Sequence, residues 1–133
     1  IGPYANRRDE VFATWRTSLQ AIARCPNVQI KLGGLGMHTL GFDFPRQARP
    51  PSSEALAQAW APYIETCIEA FGAQRAMFES NFPVDKGICS YGVLWNAFKR
   101  IAAQYSADEQ AALFSGTASR VYRIELPGGL TAA

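Results

Sequence analysis

The sequence predicts an α/β fold with parallel strands, and two observations lead to that prediction. Amphipathic helical segments alternate with short β-prone runs between residues 8 and 123, an order typical of strands joined by right-handed helical crossovers. Hydrophobic residues make up 48% of the 133 residues and charged residues 18%, which is the composition of a packed globular domain. We therefore expect one α/β domain with its own hydrophobic core.

The first unit is a helix followed by a strand. Between Arg8 and Arg24, apolar residues recur every three or four positions, which predicts an amphipathic helix. They are Phe12, Trp15, Leu19, Ile22 and Ala23. Pro26 ends this helix because proline lacks the N–H that a helix interior needs. Residues 28–32, Val-Gln-Ile-Lys-Leu, lie between Pro-Asn and Gly-Gly, and such flanks are typical of a short strand.

The second unit repeats this order after a long loop. Residues 33–52 are rich in Gly, Pro, Arg and aromatic residues, and loops of this length in a compact domain usually serve a site. An apolar helical face then extends from Leu56 to Phe71, and Gly72 occupies the position typical of a helix C-terminal cap. Residues 75–79, Arg-Ala-Met-Phe-Glu, follow directly and predict a second strand.

Helices are predicted for the rest of the chain. A loop at residues 80–90 precedes a helix from Tyr91 to Tyr105. Ser106-Ala-Asp-Glu109 is a capping box, in which the serine hydroxyl accepts from a backbone N–H and the glutamate reaches back, so a new helix begins there. We expect that helix to pause at Ser115-Gly116 and to resume through Arg123.

Charge and hydropathy exclude several function classes. The 13 Lys and Arg residues and 11 Asp and Glu residues are interspersed, unlike the clustered basic footprint of a nucleic-acid-binding protein. No apolar run approaches the roughly 18 residues of a membrane span, and no signal peptide is recognisable. We expect a cytoplasmic protein that binds neither nucleic acid nor membrane. Its three cysteines, odd in number and widely spaced, are expected to be reduced thiols.

Three motifs occur in order along the chain. They are Cys-Pro-Asn-Val-Gln-Ile-Lys-Leu-Gly-Gly-Leu-Gly at 25–36, Met-Phe-Glu-Ser-Asn-Phe-Pro-Val-Asp at 77–85 and Ser-Gly-Thr-Ala-Ser-Arg-Val-Tyr at 115–122. Together they resemble the amidohydrolase-related (amidohydrolase 2) family of metal-dependent TIM-barrel hydrolases, and the branch that hydrolyses sugar and aromatic lactones is similar.

The resemblance implies that the two predicted strands are the seventh and eighth of a (β/α)8 TIM barrel, followed by the closing helix. A complete barrel takes about 250 residues, so this chain would hold a quarter of the strands, as a C-terminal fragment. We assign residues 1–126 to this partial barrel domain and residues 127–133 to a disordered tail.

The resemblance also implies a divalent metal in the full-length protein, held by histidines on earlier strands. One of them precedes a segment like Gly2-Pro-Tyr4, and the chain begins with Ile1, so we expect further sequence upstream. His38 is the single histidine here, whereas such metal sites need several imidazoles and a carboxylate. We therefore expect no metal, and no activity, for this chain alone.

The family pattern places an aspartate at the end of the eighth strand, where its carboxylate takes a proton from the attacking water. The matching residue here is Asn81, and an amide cannot act as a general base. Glu79, two residues earlier on the same strand face, and Asp85, in the following loop, are the candidates to replace it. An ion pair with Lys31 on the neighbouring strand is an equally strong interpretation of Glu79.

Basic residues are the candidate substrate ligands. Lys31 could stabilise a substrate carboxylate or a developing oxyanion, although a structural role is the stronger interpretation. His38, Arg46 and Arg49 lie in the long loop, and loops at the carboxyl ends of barrel strands build the active site in this fold. A surface position without a role is the alternative for His38.

These observations favour part of a hydrolase that opens a lactone or a related ester or amide ring with carboxylate-activated water, with or without a metal. The alternative is a non-catalytic truncated barrel that serves in assembly or binding; it would form homo-oligomers to cover its open strand edges. A related decarboxylase is a third hypothesis. In the enzyme hypotheses the partner is a small-molecule substrate.

Overall fold

Two strands and five α-helices lie within residues 6–124, the part of the chain that the computed structural model describes. The predicted tail at 127–133, the domain boundary at residue 126 and the Gly2-Pro-Tyr4 segment lie outside these residues. The strands are β1 (Ile30–Leu32) and β2 (Ala76–Phe78). The helices are α1 (Arg8–Ala23), α2 (Ser53–Phe71), α3 (Tyr91–Ala102), α4 (Ala107–Ala111) and α5 (Thr117–Tyr122).

The sheet is parallel, as the alternation of helices and strands predicts. Lys31 lies opposite Met77, and Leu32 lies opposite Phe78. Beyond the last pair, the Glu79 N–H still donates to the Leu32 carbonyl at 3.1 Å. Because α2 connects the two strands, their carboxyl ends meet at one edge, and the two long loops leave from that edge.

Both strands are shorter than predicted, and Arg75 explains the late start of β2. This residue ends a 3₁₀ turn at Ala73–Arg75. Its guanidinium donates to the carbonyls of Ala23 and Cys25, at 3.0 Å each, and to that of Phe71 at 3.0 Å. One side chain therefore satisfies carbonyls at the ends of α1 and α2, which would otherwise lack partners, and joins both helices to the start of β2.

The C-terminal helices differ from the prediction in two places. The helix α3 ends at Ala102 instead of Tyr105 because the capping box of Ser106 starts α4; the box is present in full. The predicted pause at Ser115-Gly116 is wrong, since a π-helical turn at Ala112–Gly116 joins α4 to α5. The wider turn keeps the buried Thr117 in place, where its hydroxyl donates to the Ala73 carbonyl at 3.1 Å.

Aromatic and aliphatic side chains between α2, α3 and β2 form the core. The rings of Phe78 and Phe98 stack with centroids 4.7 Å apart, and Trp60 and Leu94 are fully buried. Burial of side chains this large supplies most of the stabilisation of such a unit, roughly 1.5–3 kcal/mol each. Among residues 6–124, no helix is both long enough and apolar enough to cross a bilayer.

Candidate active site at the carboxyl ends of the strands

The glycines after β1 lie directly against the loop that follows β2. A Cβ on Gly33 would lie 2.4 Å from both Cγ and the carbonyl oxygen of Glu79, and a Cβ on Gly36 would lie 2.8 Å from Cγ of Asp85. Neither position leaves room for a side chain. The Gly33-Gly-Leu-Gly36 segment therefore lets two backbones approach closely.

Lys31 and Glu79 form an ion pair across the two strands, which is one of the two interpretations that the sequence left open for Glu79. The Lys31 Nζ lies 2.6 Å from Glu79 Oε2, and the two side chains are 52% and 29% exposed. Glu79 donates its N–H to Leu32, so it continues β2 on the same face as Met77 and beside Lys31. The hydrogen bond from Lys31 to Glu79, and the negative charge of Glu79, raise the pKa of the ammonium group.

Asn81 and Asp85 form a second pair, one turn further along the same loop. Asn81 adopts a left-handed backbone conformation with φ of 50°, which asparagine tolerates better than most residues. Its Nδ2 donates to Asp85 Oδ1 at 2.9 Å, and its carbonyl accepts the Asp85 N–H at 3.2 Å. The amide of Asn81 and the carboxyl of Asp85 are therefore held together by side-chain and main-chain bonds.

Asp85 is the buried member of this group, with 1% of its surface exposed. Burial raises the pKa of its carboxyl, while hydrogen bonds from Asn81 and from the Gly36 N–H act in the opposite direction. Within the described residues Oδ2 is buried without a hydrogen-bond partner. Glu79, in contrast, is accessible, so of the two candidate carboxylates Glu79 is the one that solvent or a substrate can reach.

Of the basic residues in the long loop, some line a cleft and one does not. A cleft of about 1280 Å³ lies beside β1, between α1, α2 and this loop, and its lining includes Lys31, His38 and Arg46. His38 is exposed and begins a 3₁₀ turn, and Arg46 is paired at 3.6 Å with Asp43. Arg49 is exposed and is not among the residues that line the cleft.

Arg8 is a cleft residue that the sequence did not indicate. Its guanidinium donates to the Gly41 carbonyl at 2.7 Å and to the Tyr63 hydroxyl at 3.0 Å, and it lies 4.7 Å from the ring centre of Phe42. These contacts of Arg8 hold the long loop against α1 and α2. An arginine at the first position of an amphipathic helix carries no signal of such a role.

The described residues do not fit a metal centre. No group of three or more His, Cys, Asp or Glu side chains comes together within residues 6–124. The Lys31 ammonium occupies one oxygen of Glu79, and Asp85 is covered by the loops. Burial raises the pKa of Cys67 to about 12 and that of Cys89 to about 11, so these thiols are neutral and serve in packing.

Comparisons with known proteins agree with this architecture. A family model described as amidohydrolase matches residues 2–124. An L-fucono-1,5-lactonase of Burkholderia multivorans is 34% identical over 123 residues, which cover 92% of this chain and 39% of the lactonase. The protein y4mH of Sinorhizobium fredii is 42% identical over 113 residues, which cover 85% of this chain and 34% of y4mH.

Solved structures show the same likeness. A crystal structure of a Burkholderia multivorans amidohydrolase with bound HEPES matches with a TM-score of 0.77 at 32% identity, over 92% of this chain and 40% of that one. A second crystal form with bound zinc matches with a TM-score of 0.75 at 33% identity, over 88% of this chain and 39% of that one. The chain thus spans between about a third and two fifths of the length of these relatives. The assignment of β1 and β2 as seventh and eighth strands stays a prediction. The matches confirm the predicted family: this chain belongs to the amidohydrolases, and its relatives include lactonases.

Proposed function

We propose that this chain supplies the Lys31–Glu79 pair of a hydrolase that opens lactone rings. The observation that carries the proposal is the position of this pair. An accessible carboxylate and an ammonium group lie 2.6 Å apart where two parallel strands end, and ligand sites of parallel α/β folds form at the carboxyl ends of their strands.

The chemistry follows from the two charges. Glu79 accepts a proton from a water molecule while that water attacks the ring carbonyl carbon. Lys31 lies beside the carbonyl oxygen, on which negative charge develops, and stabilises it. The carbon–oxygen bond of the ring then breaks, and the leaving oxygen takes the proton back from Glu79. The products are a carboxylic acid and a hydroxyl on one open chain; the acid releases its proton to solvent at neutral pH and becomes a carboxylate, and water is the sole co-reactant.

The substrate class rests on the relatives and on the cleft. Two of the relatives are named L-fucono-1,5-lactonases, so a sugar lactone is the first candidate substrate. His38 and Arg46 line the cleft beside Lys31, and they offer hydrogen bonds and positive charge to ring hydroxyls and to the carboxylate product. Arg49, outside the cleft, would act by attracting anionic substrates over a longer distance.

A divalent metal belongs to the proposal only for the complete protein. The zinc in the related Burkholderia structure supports a metal in this family, whereas the donor groups of residues 6–124 do not assemble a site for it. The roles given to Lys31 and Glu79 above therefore include no metal. Other segments of the complete protein would have to supply its ligands.

The test is an assay of the complete protein encoded by the gene of this chain. Sugar lactones and aromatic lactones are each offered with and without a chelator, and proton release is followed. The proposal expects turnover of at least one sugar lactone above the rate of spontaneous opening. No turnover of any lactone, with metal supplied, would contradict it.

A non-catalytic role in assembly is the second candidate function. One observation that favours it is Asn81, an amide at the position where the family pattern has a general base. The other is the edge of β1 that faces the cleft, which pairs with no further strand among the described residues. This candidate expects the chain to associate with copies of itself. Light scattering that shows a monodisperse monomer would exclude it.

A further inference from the structure

Asp85 lies at the point where the two loops touch. Each loop contributes one contact to its carboxyl: the Gly36 backbone after β1 packs directly against it, and the Asn81 amide after β2 donates to Oδ1 at 2.9 Å. Its own carbonyl accepts the N–H groups of Ile88 at 3.1 Å and Cys89 at 3.3 Å. With 1% of its surface exposed, Asp85 cannot itself contact a substrate in the cleft.

The carboxyl has little freedom to move away from this position. A Cβ on Gly36 would lie 2.8 Å from both Asp85 Cγ and Ile88 Cδ1, so the glycine backbone is packed directly on the carboxyl group. On the other side, Asn81 is fixed by its left-handed backbone and by the bond from the Asp85 N–H to its carbonyl. Both partners of the contact between Asn81 and Asp85 are therefore held in place by the surrounding backbone.

This contact decides which end of the Asn81 amide is available. The Asn81 amide turns its Nδ2 toward Asp85 and donates to Oδ1 at 2.9 Å, because the carboxylate offers only acceptors. Because the amide group is planar, its Oδ1 then points away from Asp85. The residue that takes the place of the family's base therefore presents a neutral oxygen, which accepts a hydrogen bond.

We propose that Asp85 is a positioning residue that holds the Asn81 amide with its oxygen free to accept a hydrogen bond from the attacking water or from a substrate hydroxyl. This inference rests on the proposed function, since it assigns a task within the same site. Each of three residues then has its own task. Glu79 removes the proton from water, Asn81 orients the water or the substrate hydroxyl that donates to it, and Asp85 orients Asn81.

A direct test observes the Asn81 side-chain amide by NMR in the complete protein labelled with nitrogen-15 at asparagine. In the wild type, the Asn81 side-chain protons should exchange with solvent at least about tenfold more slowly than those of Asn96, an exposed residue of α3. Exchange of Asn81 as fast as that of Asn96 would overturn the proposal, whatever the activity of the protein.

Two variants of Asp85 separate positioning from general stabilisation. Asp85→Leu keeps the branched shape at Cγ but removes the acceptor, and it should abolish the slow exchange of Asn81. Asp85→Asn keeps an acceptor oxygen and should retain most of it. Unchanged exchange in Asp85→Leu would contradict the proposal. Should Asp85→Leu fail to fold by circular dichroism, Asp85→Asn and the wild type still decide, because both must show slow exchange.

Kinetics give a second, independent measure on an active lactone. Asp85→Leu should lower kcat by about ten- to a hundredfold, the usual effect of a misplaced group, with KM changed less than about twofold. Asn81→Ala should have a similar effect. The double variant should be no worse than the more impaired single variant, because Asp85 acts through Asn81. Multiplied losses would contradict the proposal. If no lactone is opened at all, the proposed function fails while the exchange measurement still tests the positioning.

Discussion

The ammonium group of Lys31 lies 2.6 Å from Oε2 of Glu79, and both side chains keep access to solvent. Exposed ion pairs contribute little to folding, about 0–1 kcal/mol, because water screens them. A pair with this exposure is therefore not explained by stability alone. Lys31 lines the cleft, and the pair lies at the carboxyl ends of two parallel strands, which connects it to ligand binding.

Lys31→Met should separate the two roles of the pair. Removal of the ammonium group should change the free energy of unfolding by less than about 1 kcal/mol, while kcat on an active lactone falls by about tenfold or more because the oxyanion loses its partner. Urea denaturation and steady-state kinetics measure the two effects. A stability loss of several kcal/mol with kcat unchanged would show a structural pair.

The close approach of the two loops should make Gly33 and Gly36 intolerant of a side chain. Gly33→Ala places a methyl group 2.4 Å from the Glu79 backbone oxygen, and backbone cannot move aside as a side chain can. We expect a loss of about 1–3 kcal/mol or more, the usual cost of overpacking. Gly36→Ala meets the Asp85 carboxyl and should also destabilise.

Gly92→Ala is the matched control for these two variants. Nothing lies within 4 Å of a Cβ at Gly92, which is in the first turn of α3, so alanine should leave stability unchanged or raise it by about 0.5–1 kcal/mol. Thermal melts of the three variants give the comparison. Equal melting temperatures for Gly33→Ala and Gly92→Ala would show that the loops do not touch as described.

Asp85 should make stability depend on pH in the direction opposite to that of an ordinary paired carboxylate. Burial raises its pKa above the usual 3.8, so the folded state holds the proton more tightly than the unfolded chain. The free energy of unfolding should therefore fall as pH rises from 3.8 through the raised value, and the loss is complete above it.

Asp85→Asn should lack this dependence. Its stability relative to the wild type should rise as pH increases from 3.8 through the raised pKa of Asp85, where the wild-type carboxyl ionises. Urea titrations at several pH values measure the difference, and Asp108→Asn, a change of the same kind on the exposed first turn of α4, serves as control. A difference between Asp85→Asn and the wild type that stays constant with pH would contradict the burial of this carboxyl.

The capping box at α4 gives a prediction that is independent of the site. The Ser106 hydroxyl accepts the Glu109 N–H, and Glu109 accepts the Ser106 N–H at 2.9 Å, which lowers the pKa of Glu109. Ser106→Ala should destabilise the protein by about 1 kcal/mol. The variant keeps the backbone N–H bond to Glu109 and loses the hydroxyl bond at 2.8 Å, so the pKa of Glu109, measured by NMR, should rise part of the way toward 4.5. An unchanged Glu109 pKa in this variant would show that the Ser106 hydroxyl does not contribute to the lowered pKa.

The sequence was sufficient to predict the features that follow from strand alternation. Lys31 and Glu79 could be placed side by side because parallel strands bring their carboxyl ends together and side chains two residues apart share a face. The order of elements and the capping box follow from equally local rules, and the structure confirms them.

Features that depend on contacts between distant loops were not predictable. Glu79 and Asp85 were both candidates by sequence. Their different exposure arises where the backbone of Gly36 covers Asp85. Arg75, at the edge of a β-prone run, belongs to a turn because carbonyls about 50 residues away bind it. Hydrogen-bond partners this far apart in sequence cannot be predicted from periodicity or from a local motif.

The central claim is that Glu79 removes the proton from water, and Glu79→Gln tests it most directly in the complete protein. The variant keeps the shape of the side chain and loses the base, so kcat on the preferred lactone should fall by about a hundredfold or more. Glu54→Gln, the same change on the exposed first turn of α2, should leave kcat unchanged. A Glu79→Gln variant that retains wild-type kcat would contradict the account.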